Sequence, residues 1–249
     1  MLAGNGANSP FRLFRDGTAW LFLLAFLLKS VIAPGAELSG RSPQTTLTYI
    51  EVTITARGHA AGVLRDHANA LREHQASPSQ ITVLQEISRP ERFLVLERDT
   101  PTVLTATTLT TTKADTHALT DGLTDDLAAP PDRHLDHELD ESDTTPAPQL
   151  DARANFYVVA HMDIASQDRA GIEASLRKLA AAARRSDGTL GFEILQQTDH
   201  PNHYNLVSAW LGESPFRAFS ASATAREFRR TIAPVLGSPY DERLFRRVN

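Results

Sequence analysis

Beyond residue 45 the chain compares with itself, and this internal repeat limits the fold more than any other feature of the sequence. Tyr49-Ile-Glu-Val aligns with Tyr157-Val-Val-Ala at a shift of 108. At the same shift Leu64, Ala68 and Leu71 fall on Ile172, Leu176 and Leu179. At a shift of 111, Leu84-Gln85 meets Leu195-Gln196, Pro90 meets Pro201 and Phe93 meets Tyr204. At a shift of 109, Leu127, Pro130, Asp132 and Leu135 meet Leu236, Pro239, Asp241 and Leu244. The matches keep their order. They predict two copies, 46–142 and 153–249, joined by a Pro-containing polar linker over 143–152.

The second copy shows the elements more clearly. Phe156 to Ile164 reads as a strand rich in β-branched and aromatic residues. Ala170 to Arg184 reads as a helix, with Ile172, Leu176, Leu179 and Ala183 on one stripe. Strands follow over Leu190–Gln197 and Tyr204–Leu211. A second helix spans about Pro215–Leu236 with an interruption near Pro234, and Tyr240–Val248 reads as a last strand. The order β-α-β-β-α-β is that of ferredoxin-like folds. A sheet wet on one side alternates apolar and polar residues. Here Val158, Ala160 and Met162 take one face, and Tyr157 and Val159 the other. Val207, Ala209 and Leu211 likewise oppose Leu206 and Trp210. Helices cover one face only, so the other copy must cover the second. The expected fold class is α+β, with two ferredoxin-like repeats packed sheet to sheet as an intramolecular pseudo-dimer. Apolar burial at ~25 cal/mol per Å² supplies the drive.

Composition removes several chemistries. There is no cysteine, so disulfides, Cys-ligated metals and a Cys nucleophile are out. The net charge of −5 lacks the basic surplus of a nucleic-acid binder. Arg12 and Arg15 precede the apolar run Trp20–Leu28, and small residues follow. That pattern predicts an export signal cleaved near Ala36, which would place the mature protein outside the cytoplasm with no stable membrane span; the alternative is an uncleaved hydrophobic tail or a short membrane anchor. The run is about half the ~20 residues a membrane helix needs.

One stretch is more telling. Asp187-Gly-Thr-Leu-Gly-Phe-Glu-Ile-Leu-Gln-Gln, Pro201 to Tyr204, Leu206-Val-Ser-Ala-Trp210 and Ser214-Pro-Phe-Arg-Ala-Phe219 together resemble the antibiotic biosynthesis monooxygenase superfamily. The resemblance covers 153–249 well and 46–142 weakly. It implies a dimeric α+β barrel. It also implies, for some members, oxygenation of quinols or phenols without metal or flavin, so no cofactor is expected here. Relatives degrade haem, but the helix histidine that ligates haem is missing, and Ser208 stands where many members have Glu.

An enzyme of this kind needs an aromatic pocket and a base to take a phenolic proton, a task suited to histidine. His161 is the expected catalytic residue. Trp210, Phe192, Tyr204 and Tyr157 are the expected substrate-binding residues, with Asn155 and Asn205 as weaker polar candidates. In the first copy the alignment puts Thr53 opposite His161 and Asp99 opposite Trp210, which would leave that copy a structural partner. The expected partner is a small aromatic or quinol-like ligand. The alternative is a non-catalytic barrel holding a small apolar ligand.

Other constellations carry less. Asp132-Arg-His-Leu-Asp-His-Glu138 has metal-ligand residue types, but the repeat explains it as the counterpart of Asp241–Arg247, and the acidic run reads as a solvated face. His200 and His203 flank a turn, where exposure is expected. Thr100–Thr112 reads as a loop or a diverged helix start. Glycine-rich phosphate loops, G-x-S-x-G and H-E-x-x-H are absent from the sequence.

Overall fold

In a computed structural model the apolar alternation of the sequence becomes one closed antiparallel barrel of eight strands. The structure describes residues 44–74, 80–98, 120–139, 154–165 and 169–249, all within the unit Gly40–Asn249. The amino-terminal apolar run, the threonine tract and the 143–152 linker lie outside the described residues.

The first half contributes β1 (Gln44–Glu51), α1 (Arg57–His74), β2 (Gln80–Glu86), β3 (Arg92–Arg98) and β4 (Asp132–Glu138). The second contributes β5 (Phe156–Asp163), α2 (Arg169–Arg184), β6 (Thr189–Gln197), β7 (His203–Trp210), α3 (Glu213–Ser220), α4 (Ala223–Ile232) and β8 (Asp241–Arg247). Around the barrel the order is β1-β3-β2-β8-β5-β7-β6-β4. Each half thus supplies a four-stranded ferredoxin-like sheet, β4-β1-β3-β2 or β8-β5-β7-β6. Among the described residues, no helix is long and apolar enough to cross a membrane.

The halves do more than face each other. Their edges hydrogen-bond, β2 to β8 through Leu84↔Arg247 to Glu86↔Phe245, and β4 to β6 through Asp136↔Gln197 to Glu138↔Leu195. Two sheets merely stacked would leave four open edges, and closure satisfies those backbone groups.

The two faces of each strand meet different partners, as the alternation predicts. Tyr157, Val159, Val207 and Ala209 join Leu47 and Leu94 inside the barrel. Val158, Ala160, Met162 and Trp210 pack outward under the helices with Ile172, Leu176 and Leu179. A matching outer core lies between α1 and the first sheet, built on Leu64, Ala68, Val83 and Val95. Leu211 departs from the expectation: β7 ends at Trp210 and Leu211 is exposed. The second helix also breaks earlier than Pro234. Ser222 caps a new helix by accepting a hydrogen bond from the Ala225 amide, so the segment splits into α3 and α4.

Strand pairing corrects the alignment of the halves at their first strand. Leu47 pairs with Leu96 and Val159 with Val207. Since Leu96 and Val207 correspond at a shift of 111, Val159 occupies the place of Leu47, and His161 that of Tyr49 rather than Thr53. The shift at β1 is therefore 112, not 108. On α1 it brings buried Ala60, Leu64 and Ala68 onto buried Ile172, Leu176 and Ala180. A slip of four residues keeps the inside–outside phase of a strand and overshoots one helical turn by only about 40°, so periodicity alone could not detect it. Asp99, aligned with Trp210, lies outside the described residues.

Candidate functional site

At one end the barrel opens into a cavity of about 430 Å³, within the size range of small-molecule sites. Strand direction alternates around the barrel, so equivalent positions of the two halves arrive at the same end. The wall is accordingly built in corresponding pairs: Tyr49 and His161, Glu86 and Gln197, Arg92 and His203, Asp132 and Asp241, His134 and Arg243. All but the Asp132–Asp241 pair differ in chemistry, so the cavity is close to twofold in backbone and asymmetric in its side chains.

One polar chain starts at His161, which is half-buried. Its Nδ1 lies 3.1 Å from Oδ1 of Asn205. The Asn205 amide Nδ2 donates to Oδ2 of Asp136 at 2.7 Å. Asn205 and Asp136 are both 0% exposed, and the other oxygen of Asp136 has no hydrogen-bond partner. Burial raises the Asp136 carboxyl above the ordinary range, while the Asn205 hydrogen bond and His134, His161 and His137 act the other way. Three strands meet here: β5 carries the imidazole, β7 the amide, and β4 of the opposite half the carboxyl.

Around this chain, burial raises the Tyr49 hydroxyl, opposed by Arg243, whose guanidinium lies 5.7 Å from the ring centroid. His203 is lowered by burial, against the pull of Asp163. Its ring sits 5.5 Å from that of His161 and 5.2 Å from that of His200. Arg92 pairs with Glu51, and Arg243 with Asp241. One carboxylate oxygen of Glu86 and the amide nitrogen of Gln197 are buried without partners. They supply an acceptor and a donor beside the cavity.

The other expected site residues are dispersed. Trp210 and Phe192 lie on the opposite face of the sheet from His161, beside a space of about 30 Å³ under α3 and α4. That holds roughly one water, not an aromatic ring. The Trp210 Nε1 donates to Ser208 Oγ at 3.0 Å, and the rings of Phe216 and Phe219 stand 5.8 and 5.4 Å away. Tyr204 is buried on the same helix side, where its hydroxyl donates to Glu173 and accepts from Gln196. Tyr157 is buried in the barrel interior. Of the five, His161 lines the large cavity.

Asp136 is buried rather than part of a solvated face, because even-numbered residues of β4 turn inward. The same alternation sends His134 and His137 to opposite faces, and no cluster of three or more metal-ligating side chains occurs among the described residues. His203 is half-buried at the cavity rather than exposed in its turn, whereas His200 is exposed. Asn155 is exposed outside any strand. Sequence reasoning missed Tyr49, Glu86 and Arg243. The repeat contained the signal, since each corresponds to a cavity residue of the other half.

Residues 155–231 match the family model for antibiotic biosynthesis monooxygenase. No curated protein matches the chain. Among solved structures, a candidate monooxygenase from Fusobacterium nucleatum aligns with a TM-score of 0.68 at 8% identity, over 84% of this chain and 93% of that one. A candidate monooxygenase from Lactobacillus acidophilus aligns at 0.64 and 11% identity, over 84% and 95%. An anthrone oxidase-like protein aligns at 0.58 and 11%, over 84% and 92%. At these identities the structures speak for the fold, and the family model speaks for the domain. Residues 155–231 of the second half are thus similar to an antibiotic biosynthesis monooxygenase domain, within a polypeptide whose two halves close one eight-stranded barrel.

Proposed function

We propose that this protein is a cofactor-independent monooxygenase that oxygenates an electron-rich phenol or hydroquinone at the mouth of the barrel. The observation that carries this reading is the chain His161–Asn205–Asp136, which holds an imidazole at the wall of a ligand-sized cavity. His161 takes the phenolic proton at Nε2, the nitrogen not engaged by Asn205. The resulting phenolate is a strong enough donor to pass an electron to O₂. The radical and superoxide recombine, and loss of water leaves a quinone, so one phenol and one O₂ give one quinone and one H₂O. Glu86, Gln197 and Tyr49 offer the hydrogen bonds that orient the ring, while Val159, Phe93 and Phe245 supply apolar wall.

A barrel that merely holds an apolar ligand is less well supported, because Glu86, Arg92, Asp132, Asp241 and Arg243 place charged groups in the wall of this cavity. The helix-side space that Trp210 and Phe192 border is apolar but too small as it stands.

The test is oxygen uptake by purified protein with menadiol or a similar hydroquinone, with metals chelated and autoxidation subtracted. Uptake above the protein-free control, falling ~10²-fold or more in His161→Gln, supports the proposal. Uptake equal to the control, together with saturable binding of the same hydroquinone, would make this a binding protein instead.

A further inference from the structure

The chain from Asp136 to His161 has a direction. An ionised carboxylate only accepts hydrogen bonds. Asp136 therefore obliges Asn205 to present its NH₂ group, as the 2.7 Å contact from Nδ2 shows. The amide oxygen is then turned toward His161, and an oxygen at 3.1 Å from Nδ1 requires a proton on Nδ1. A neutral imidazole with its proton on Nδ1 carries its lone pair on Nε2. From these contacts we infer that Asp136, contributed by the first half, acts through Asn205 to fix the tautomer of His161 and so makes Nε2 a proton acceptor at the cavity.

The opposite wall shows that this chain is specific. The positions corresponding to His161, Asn205 and Asp136 are Tyr49, Leu94 and Phe245, and Leu94 and Phe245 belong to the apolar interior. The backbone is repeated but the relay is built once, with its anchoring carboxylate on the half that lacks the histidine. Neither half alone contains the complete arrangement. Asp136 and Asn205 are positioning residues, acting through His161 rather than on the substrate. The inference deepens the proposed function, and only its kinetic arm rests on that reading.

Two-bond ¹H–¹⁵N correlation spectra of the full chain, in mildly alkaline buffer where imidazoles are neutral, report the tautomer directly. The expected wild-type result is a protonated, pyrrole-type Nδ1 and a pyridine-type Nε2 for His161, assigned by its loss in His161→Gln. In Asp136→Asn the amide at 136 can donate as well as accept, so Asn205 is free to turn over and His161 gains population protonated at Nε2. Asn205→Leu removes the acceptor and has the same effect. A wild-type His161 protonated at Nε2 would overturn the inference. So would an unchanged tautomer in both folded variants. Should neither variant fold, the wild-type spectrum decides alone. In the kinetic arm, both variants lower kcat ~10²-fold with KM held within about twofold. If wild-type protein shows no oxygen uptake, the proposed function fails while the tautomer result still stands or falls by itself.

Discussion

At the scale of single residues, His161 and Trp210 illustrate what side-chain chemistry can and cannot announce. Both stand out in the sequence, and both are held by hydrogen bonds in the structure. They lie on opposite faces of the same sheet, so they cannot serve one pocket. Alternation separates the faces of a strand but does not say which face looks into a cavity. Asp136 is the reverse case, hidden in an acidic run that composition alone would leave in water. Its burial has a measurable consequence. The folded carboxyl is raised above its ordinary value of 3.8, so between those two values the folded state binds more protons than the unfolded chain. The Asp136 contribution to stability therefore falls as pH rises through that window. Asn at 136 does not titrate. The stability of Asp136→Asn relative to wild type should grow as pH rises from about 4 and level off above the raised value. Urea unfolding across the range checks this, and a difference independent of pH would contradict it.

At the scale of elements, the second half was legible in detail because its strands and α2 carry strong periods bounded by polar turns. Gly188 marks the turn after α2 with φ of 78°, and a Cβ there would stand 2.6 Å from Pro215, so glycine answers both a backbone and a packing demand. The division of the last helical segment was misplaced because Pro234 is a louder signal than a serine. Yet Ser222 starts α4, accepting from the amide three residues on. Ser222→Ala should cost about 1 kcal/mol in urea unfolding, and Ser222→Asp should retain most of the stability. Equal stability of all three proteins would show that the break is imposed by packing rather than by the cap.

At the scale of the whole molecule, the two halves are joined by edge pairing, by the shared interior and by an ion pair in that interior. Arg98 of β3 grips Glu193 of β6 through three contacts between 2.9 and 3.2 Å, with the two side chains 13% and 5% exposed. Removing one partner strands the other charge in a low-dielectric interior, so Arg98→Met should cost about 3–5 kcal/mol. The double variant Arg98→Met, Glu193→Met should recover most of that loss, and a double-mutant cycle by urea unfolding measures the coupling. Additive losses would show that the pair does not act as a unit. The sequence by itself determined the strands and helices, their order, the two apolar faces and hence the need for a second sheet, because these follow from local periods and from the cost of wet apolar surface. Only the tertiary structure decided that the sheets close edge to edge, that β1 matches β5 four residues away from the apparent alignment, and that Asp136, Asn205 and His161 meet. Those outcomes depend on register between strands distant in the chain, and a slip by an even number of residues leaves every local pattern intact.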